Sequence, residues 1–434
     1  MTTLAEVKLW GNTIGAVSLE EGDEVASFQY GPEFLESEIE VSPLMMPLSE
    51  KVYQFPDLAY ETFRGLPGLL ADSLPDRFGN ALINNWLAQQ GRTPGSFNAI
   101  ERLCYTGGRG MGALEYAPAT GPKRSRSRQL KVDQLVTLVS EILSQHEDIE
   151  VSFNDESNEQ AMLDMLQVGT SAGGQRPKAV IAWNPETNEV RSGQVKTKEG
   201  FEYWILKFDG VASSKDKALE GPKGYGVIEY AYSKMAKDAG VAMGACRLFE
   251  ENGRRHFMTR RFDRPIGGEK LHMQSLCGLA YYDYKMAGAY SYEQALMVMR
   301  QLDLPMNDIE EQFRRMVFNI IARNQDDHVK NIAFLMNKSG EWSLSPAFDM
   351  TWSFNPTGDW TASHQMTIND KQDNFTMNDF KACAKTASMK RGRAEKIIDE
   401  VKQVVSQWKG YADDTGVDLK QRDQIQKTLR LNDF

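Results

Sequence analysis

One helix–loop–hairpin segment limits the fold of this chain more than any other. Phe313, Val317, Ile320 and Ile321 recur at the i, i+4, i+7, i+8 spacing of a buried helix face. Asn307-Asp308-Ile309-Glu310 precedes them and predicts an N-cap at Asn307 with a glutamate three residues on. The helix fades near Arg323-Asn324, and a polar loop follows: Gln325-Asp326-Asp327-His328-Val329-Lys330-Asn331. Ile332 to Met336, a turn at Asn337-Lys338-Ser339-Gly340, and Trp342-Ser343-Leu344 then predict a hairpin ended by Pro346. A hairpin returns the chain to where it began, so Asp349 is expected beside the loop. The pattern asks for a rigid frame that presents two carboxylates and an amide together.

That grouping has a chemical use. Asp326 and Asn331 stand five positions apart, the step between the base and the magnesium-binding amide of a kinase catalytic loop. Asp326 is the expected base, accepting the proton of an incoming hydroxyl. Asp327 breaks the five-residue step, and a plain surface turn is the competing reading of the Asp-Asp-His run. Asn331 and Asp349 offer hard oxygen ligands suited to magnesium. Lys330 adds positive charge where a transferred phosphoryl group is negative. His328 either contacts nucleotide or orients the loop through a backbone hydrogen bond. The expected reaction class is phosphoryl transfer from ATP.

Two upstream features fit the same chemistry. Lys207 lies inside an apolar strand, Phe201 to Phe208, where a lysine is costly to bury unless paired. Glu229, 22 residues later, opens a predicted helix and is its expected partner. The run Gly169-Thr170-Ser171-Ala172-Gly173-Gly174-Gln175-Arg176-Pro177-Lys178 enters another strand. Its small residues let backbone N–H groups approach an anion. A plain turn explains the same run.

Composition narrows the class. The 434 residues suffice for two or three domains, and 41% hydrophobic with 25% charged residues is an ordinary globular balance. A net charge of −10 argues against nucleic-acid binding through overall charge. Four cysteines lie far apart without a CxxC pair, so neither zinc nor a disulfide framework is expected. The first residues lack the basic start and apolar run of a signal peptide, and no stretch reaches eighteen apolar residues. A cytoplasmic protein without a membrane span is the expectation.

Along the chain, residues 4–30 alternate apolar and polar around Gly11-Asn12 and predict a hairpin. Tyr60 to Gln90 reads mainly helical, and residues 101–117, rich in glycine, read as loop or short strand. Residues 119–131 carry Lys123, Arg124, Arg126, Arg128 and Lys131 with no acid among them. This is a linker, read either as a solvated hinge or as a contact to nucleic acid. Helix is expected from 132, strands at Lys178–Trp183 and Phe201–Phe208, a helix at Gly226–Ala239, strands at Ala245–Phe249 and His256–Arg261, and mostly helix from 290. A β-rich then helix-rich order predicts an α+β chain of two lobes.

Four ordered motifs sharpen this reading: Ser171 to Lys178, Arg260-Arg261-Phe262-Asp263-Arg264, Asp326 to Asn331, and Ser345-Pro346-Ala347-Phe348-Asp349. Together with Ser73-Leu74-Pro75-Asp76-Arg77 they resemble the motif set of HipA-type serine/threonine kinases, the toxin halves of bacterial toxin–antitoxin pairs. The likeness runs from near residue 5 to near 410. It implies a two-lobed, protein-kinase-like (HipA-like) fold. The implied parts are an N-terminal β-rich subdomain at 1–118, a linker at 119–131, the nucleotide-binding part at 132–265, and a helical lobe with the catalytic loop at 266–434.

The resemblance also implies roles. Asp326 matches the catalytic base, Asn331 and Asp349 the magnesium ligands, and Lys207 the lysine on the ATP phosphates. The backbone at Arg260 and Phe262 matches the hinge that holds adenine. Gly173, Gly174, Gln175, Arg176, Pro177 and Lys178 match the nucleotide-contacting loop. Ser171 matches a serine that such kinases phosphorylate on themselves, with Thr170 a neighbouring alternative. A phosphate there adds about −1.5 to −2 charge and would repel the nucleotide. The implied partner is a HipB-like helix-turn-helix antitoxin that carries most of the DNA contact. The implied target is a translation component such as an aminoacyl-tRNA synthetase. Two other functions fit the same residues: a non-catalytic large subunit of a repressor complex, and a kinase of small molecules. Lys207, Asp326, Asn331 and Asp349 are expected to serve one nucleotide–metal site.

Overall fold

The computed structural model describes residues 3–89, 91–121, 129–144, 164–166, 168–169, 176–194, 199–211, 224–265 and 269–434. The chain forms two compact units. The first holds residues 1–42, 46–223 and 247–273, and the second residues 43–45, 224–246 and 274–434. The helix Tyr225–Asp238 therefore groups with the C-terminal residues, although it lies within 132–265 in sequence.

The first unit opens with the antiparallel pair Leu4–Leu9 and Asn12–Ser18. Leu9 faces Asn12 in register, so the turn is Trp10-Gly11, one residue earlier than Gly11-Asn12. Both turn residues have positive φ, 51° and 85°, the backbone of a tight two-residue hairpin. Ser27–Tyr30 and Leu114–Ala117 complete a four-stranded sheet on either side. Residues 60–89 form three helical pieces, Tyr60–Phe63, Gly68–Ala71 and Arg77–Gln89.

Residues 101–117, expected as loop or short strand, begin instead inside a helix, Ala99–Thr106, and end in the strand Leu114–Ala117. The start of the helix is a capping box. Glu101 N–H donates to Asn98 Oδ1 at 2.8 Å, and Asn98 N–H donates back to Glu101 Oε2 at 3.2 Å. Asn98→Ala should lower unfolding stability by about 1 kcal/mol, read by urea denaturation. A loss below a few tenths would show that the tertiary contacts of the helix, not its cap, set its start.

A five-stranded antiparallel sheet carries the middle of the chain. Lys178–Trp183 pairs with Val190–Ser192 and Glu202–Lys207, and the latter pairs with Arg254–Arg260, next to Cys246–Glu251. Ala179, Ile181, Trp204 and Leu206 are buried with Leu82, Leu87, Leu135 and Val139 in one core. The helices Arg77–Gln89 and Val132–Ser144 thus share the core of the sheet.

The second unit is mostly helical. Met306–Ile321 is its central helix, and Phe313, Val317, Ile320 and Ile321 are fully buried, as the spacing predicts. The cap is Pro305 rather than Asn307, and Met306 is the first helical residue. Asp308 instead turns its Oδ2 to the backbone N–H of Leu344 at 3.1 Å, tying the hairpin to the helix. The hairpin is Ala333–Met336 against Trp342–Leu344, with Phe334 opposite Leu344. Among the described residues, no helix is long and apolar enough to cross a membrane.

Candidate active site

In the second unit the structure brings Asp326, Asp327, His328, Lys330, Asn331 and Asp349 into one region. Val329–Asn331 is a short 3₁₀ turn, and Asn331 N–H donates to His328 O at 2.8 Å. Asn331 Nδ2 donates to Asp326 O at 2.7 Å. This bond spends the amide nitrogen on holding the loop and turns Oδ1, a hard oxygen donor, the other way. One pocket is lined by Asn331, Asp349, His328 and Asp327, along with Tyr292 and Asn324. Asp349 sits at φ 54°, the left-handed region that aspartate tolerates better than most residues and that clusters at functional sites. Asn324 Nδ2 holds its carbonyl at 3.3 Å.

The two adjacent aspartates have opposite surroundings. Asp326 keeps 37% of its side chain exposed, while Asp327 keeps 1%. Asp327 accepts hydrogen bonds at 2.8 Å from Tyr292 Oη and Gln365 N–H, and lies 2.8 Å from His364 Nδ1. Burial pushes its carboxyl pKa up, but His364, Gln365 and Tyr292 outweigh burial and hold it below the usual range. With both oxygens engaged and no exposure, Asp327 is an anchor, not a base. The anchor extends: Asn319 Nδ2 donates to Tyr292 Oη at 3.1 Å, and Asn324 Nδ2 donates to Asn319 Oδ1 at 2.9 Å. A buried polar chain thus links Asp327 to the backbone of Asp349. The neutral form of Tyr292 is favoured by its burial and by Asp327, which push its hydroxyl pKa well above the ordinary value.

Around Asp326 the side chains are aromatic. Trp360 Nε1 donates to Asp326 Oδ1 at 2.6 Å, and His328 Nε2 lies 3.8 Å from the same oxygen. The His328 ring packs on Tyr284 at 5.4 Å and near Trp360 at 6.3 Å, and Lys330 Nζ stands 4.9 Å over Tyr284. His328 Nδ1 is buried without a hydrogen-bond partner, so its ring is not fixed by a backbone group.

The first unit holds the other candidates. Lys178 and Lys207 face each other across neighbouring antiparallel strands. Both are buried, at 3% and 9% exposure. Like charges directly opposite destabilise a sheet, so two buried ammonium groups placed this way need partners. Lys207 Nζ lies 5.6 Å over the Phe257 ring. Arg176 is half-buried and Pro177 buried, and Pro177 O accepts from Phe208 N–H at 3.1 Å. Arg260 ends its strand opposite Trp204, and Phe262 lies in the turn beyond. Glu229 is buried on the helix Tyr225–Asp238 of the second unit. Thr170, Ser171, Gly173, Gly174 and Gln175 lie outside the described residues, as do the linker basics 123–128.

Nothing in the local sequence singles out Trp360, Tyr292, Asn319 or His364. His364 is one of five histidines and precedes Gln365, but its partner Asp327 is 37 positions away. Only a folded chain shows that pair.

Residues 5–117 match the family described as HipA N-terminal domain, and residues 170–408 match the HipA-like C-terminal domain. A curated Haemophilus influenzae protein, provisionally named a kinase, is 26% identical over 159 residues, 33% of this chain. The chain spans 46% of that protein's length. Among solved structures, the chain resembles one of the Shewanella oneidensis toxin–antitoxin complex of HipA, HipB and operator DNA. The TM-score is 0.69 at 16% identity, covering 98% of this chain and 96% of that one. A Helicobacter pylori proinflammatory kinase, CtkA, aligns over 52% of this chain and 84% of its own, with TM-score 0.36 and 14% identity. The Shewanella likeness shows the α+β fold that the order of strands and helices predicts, in the HipA-like form that the motif resemblance implies. With its N-terminal model followed in order by a C-terminal model that alone spans more than half the residues, the chain belongs to the HipA family.

Proposed function

We propose that this protein is an ATP- and magnesium-dependent serine/threonine protein kinase, the toxin of a HipA/HipB-type pair. The observation that carries the reading is the bond from Asn331 Nδ2 to Asp326 O. It holds a partly exposed carboxylate and an amide oxygen in fixed relation, with Asp349 lining the same pocket as Asn331. Asp326 serves as the base that takes the acceptor proton. The Asn331 and Asp349 oxygens fit magnesium by donor type, since both are hard and leave room for phosphate oxygens. When bound, the metal neutralises charge on the transferred phosphoryl group. Lys178 and Lys207 supply positive charge for the ATP phosphates, and Lys330 adds charge near the transferred group. Arg176, Pro177 and His328 contact nucleotide, and the backbone at Arg260 and Phe262 holds adenine.

Partner and target follow from the family. A HipB-like helix-turn-helix antitoxin carries the DNA contact, which suits a chain of net charge −10. The phosphorylated protein belongs to translation, and self-phosphorylation at Ser171 or Thr170 shuts the nucleotide site. Mass spectrometry after ATP treatment should find phosphate at 170–171; phosphate only elsewhere ends the shut-off reading.

Incubation of the full chain and a bacterial extract with γ-labelled ATP and magnesium tests the kinase. Label is expected on protein. Label on a metabolite alone would mark a small-molecule kinase, and none at all a non-catalytic subunit. Asp349→Asn keeps the left-handed backbone that asparagine accepts but weakens the ligand. It should cut label incorporation about a hundredfold while the melting curve stays put. Undiminished transfer would remove Asp349 from the site.

A further inference from the structure

We propose that Trp360 is a positioning residue that decides which oxygen of Asp326 receives the acceptor proton, an inference that rests on the kinase reading above. One hydrogen bond and one nearby ring nitrogen gather on one oxygen. Trp360 Nε1–H donates to Oδ1 at 2.6 Å, and His328 Nε2 lies 3.8 Å from that same atom. Oδ2 has no hydrogen-bond partner among the described residues. A carboxylate on a partly exposed loop otherwise rotates about its last bond and offers either oxygen. The indole bond removes that freedom and leaves Oδ2 as the basic atom.

Trp360 is itself fixed. Its carbonyl accepts a hydrogen bond from Gln365 Nε2, and Gln365 N–H donates to Asp327 Oδ1 at 2.8 Å. His364 Nδ1 sits 2.8 Å from the other Asp327 oxygen. Residues 360–365 are therefore a strap clasped at one end by Asp326 and at the other by Asp327. The buried clasp carries no reacting group, and it holds in place the residue that orients the exposed carboxylate. Such a support is what keeps a catalytic group within the narrow tolerance its chemistry needs.

The acceptor hydroxyl gives its proton to Oδ2, and its oxygen bonds to the γ-phosphorus. The bond from that phosphorus to the bridging oxygen breaks, and ADP leaves with the electron pair. Asp326 later releases the proton to water. Oδ1 stays bonded to the indole throughout.

The test uses the full chain with γ-labelled ATP and a bacterial protein extract, with initial rates measured against ATP concentration. Trp360→Phe keeps the ring and loses the donor. Trp360→His restores a ring N–H. The Phe variant should lose tenfold or more in kcat with KM for ATP within about twofold, because a hydrogen bond to a charged group is lost only at the base. The His variant should regain a good part of that rate. Transfer by wild type with the Phe variant at the same rate overturns the proposal alone. Equal losses in both variants, meaning packing rather than a donor, also overturn it, as does a rise in rate, which would mark the indole as a plug. Should the Phe variant melt early, the His variant decides: a folded His variant at the level of Asp326→Asn counts against the proposal. No transfer by wild type overturns the kinase reading, and this inference falls with it.

Discussion

Asp326→Asn should reduce phosphoryl transfer to protein by about 10²–10⁴-fold while the chain stays folded and still binds ATP. The substitution removes the basic oxygens and little else. Asp326 is partly exposed, and its two side-chain neighbours, Trp360 Nε1 and His328 Nε2, both approach Oδ1. An amide oxygen placed there still accepts the indole N–H. Loop geometry is also preserved, because the Asn331 bond goes to the Asp326 backbone carbonyl rather than to its side chain. The melting curve should shift by no more than a surface substitution allows, about 0.5 kcal/mol. Two measurements decide: label incorporation from γ-labelled ATP, and nucleotide affinity by calorimetry. Retained transfer would show that another group takes the proton. Lost affinity for ATP would show that Asp326 binds nucleotide instead of acting as a base.

The site was legible in the sequence where the chain is local and opaque where it is not. The helix Met306–Ile321 announces itself because four apolar residues repeat at helical spacing, and the hairpin because its turn residues are distinctive. Both frame Asp326, Asn331 and Asp349. The helix Ala99–Thr106 was hidden by the glycines that follow it, although Asn98 and Glu101 spell a capping box. Asn307-Asp308 looks like the cap of the central helix, whereas Pro305 holds that position and Asp308 serves the hairpin. Asp327 reads in sequence as a second surface acid. Its burial depends on Tyr292, His364 and Gln365, which lie 35 to 38 positions away. Trp360 is likewise invisible, since only folding places its N–H on Asp326. Periodicity reports which face is buried, and it says nothing about which polar groups meet there.

The motif Arg260-Arg261-Phe262-Asp263-Arg264 carries the largest stability effect. The family resemblance implies a hinge only for the backbone at Arg260 and Phe262; the acid of the motif, Asp263, is structural in the fold. Asp263 is fully buried, with Arg261 Nη2 at 2.7 Å and Arg264 Nη1 at 2.8 Å on the same oxygen. The Gly112 N–H also donates to that oxygen at 2.8 Å. Both guanidinium groups reach Gly110 O, at 3.4 and 3.3 Å, so one carboxylate fastens the turn after the strand Arg254–Arg260 to residues 110–112. Asp263→Ala leaves the Arg261 guanidinium, 1% exposed, without its counter-charge. Such an orphaned charge costs about 3–5 kcal/mol. Asp263→Asn should cost less, since an amide oxygen still accepts from Gly112. The pH dependence follows from the same contacts. Burial alone would raise the Asp263 pKa, but Arg261 and Arg264 outweigh it and hold the carboxyl at about 2, below its ordinary 3.8. A depressed carboxylate pKa contributes stability that is present above the unfolded value and is lost as pH falls through the folded one. Wild type should therefore shed this contribution between about pH 4 and pH 2, and Asp263→Ala should show a flatter acid limb. Urea unfolding at neutral and acid pH measures both. A loss below 1 kcal/mol at neutral pH, or an unchanged acid limb, would mean that the two arginines find other partners when the carboxylate is gone.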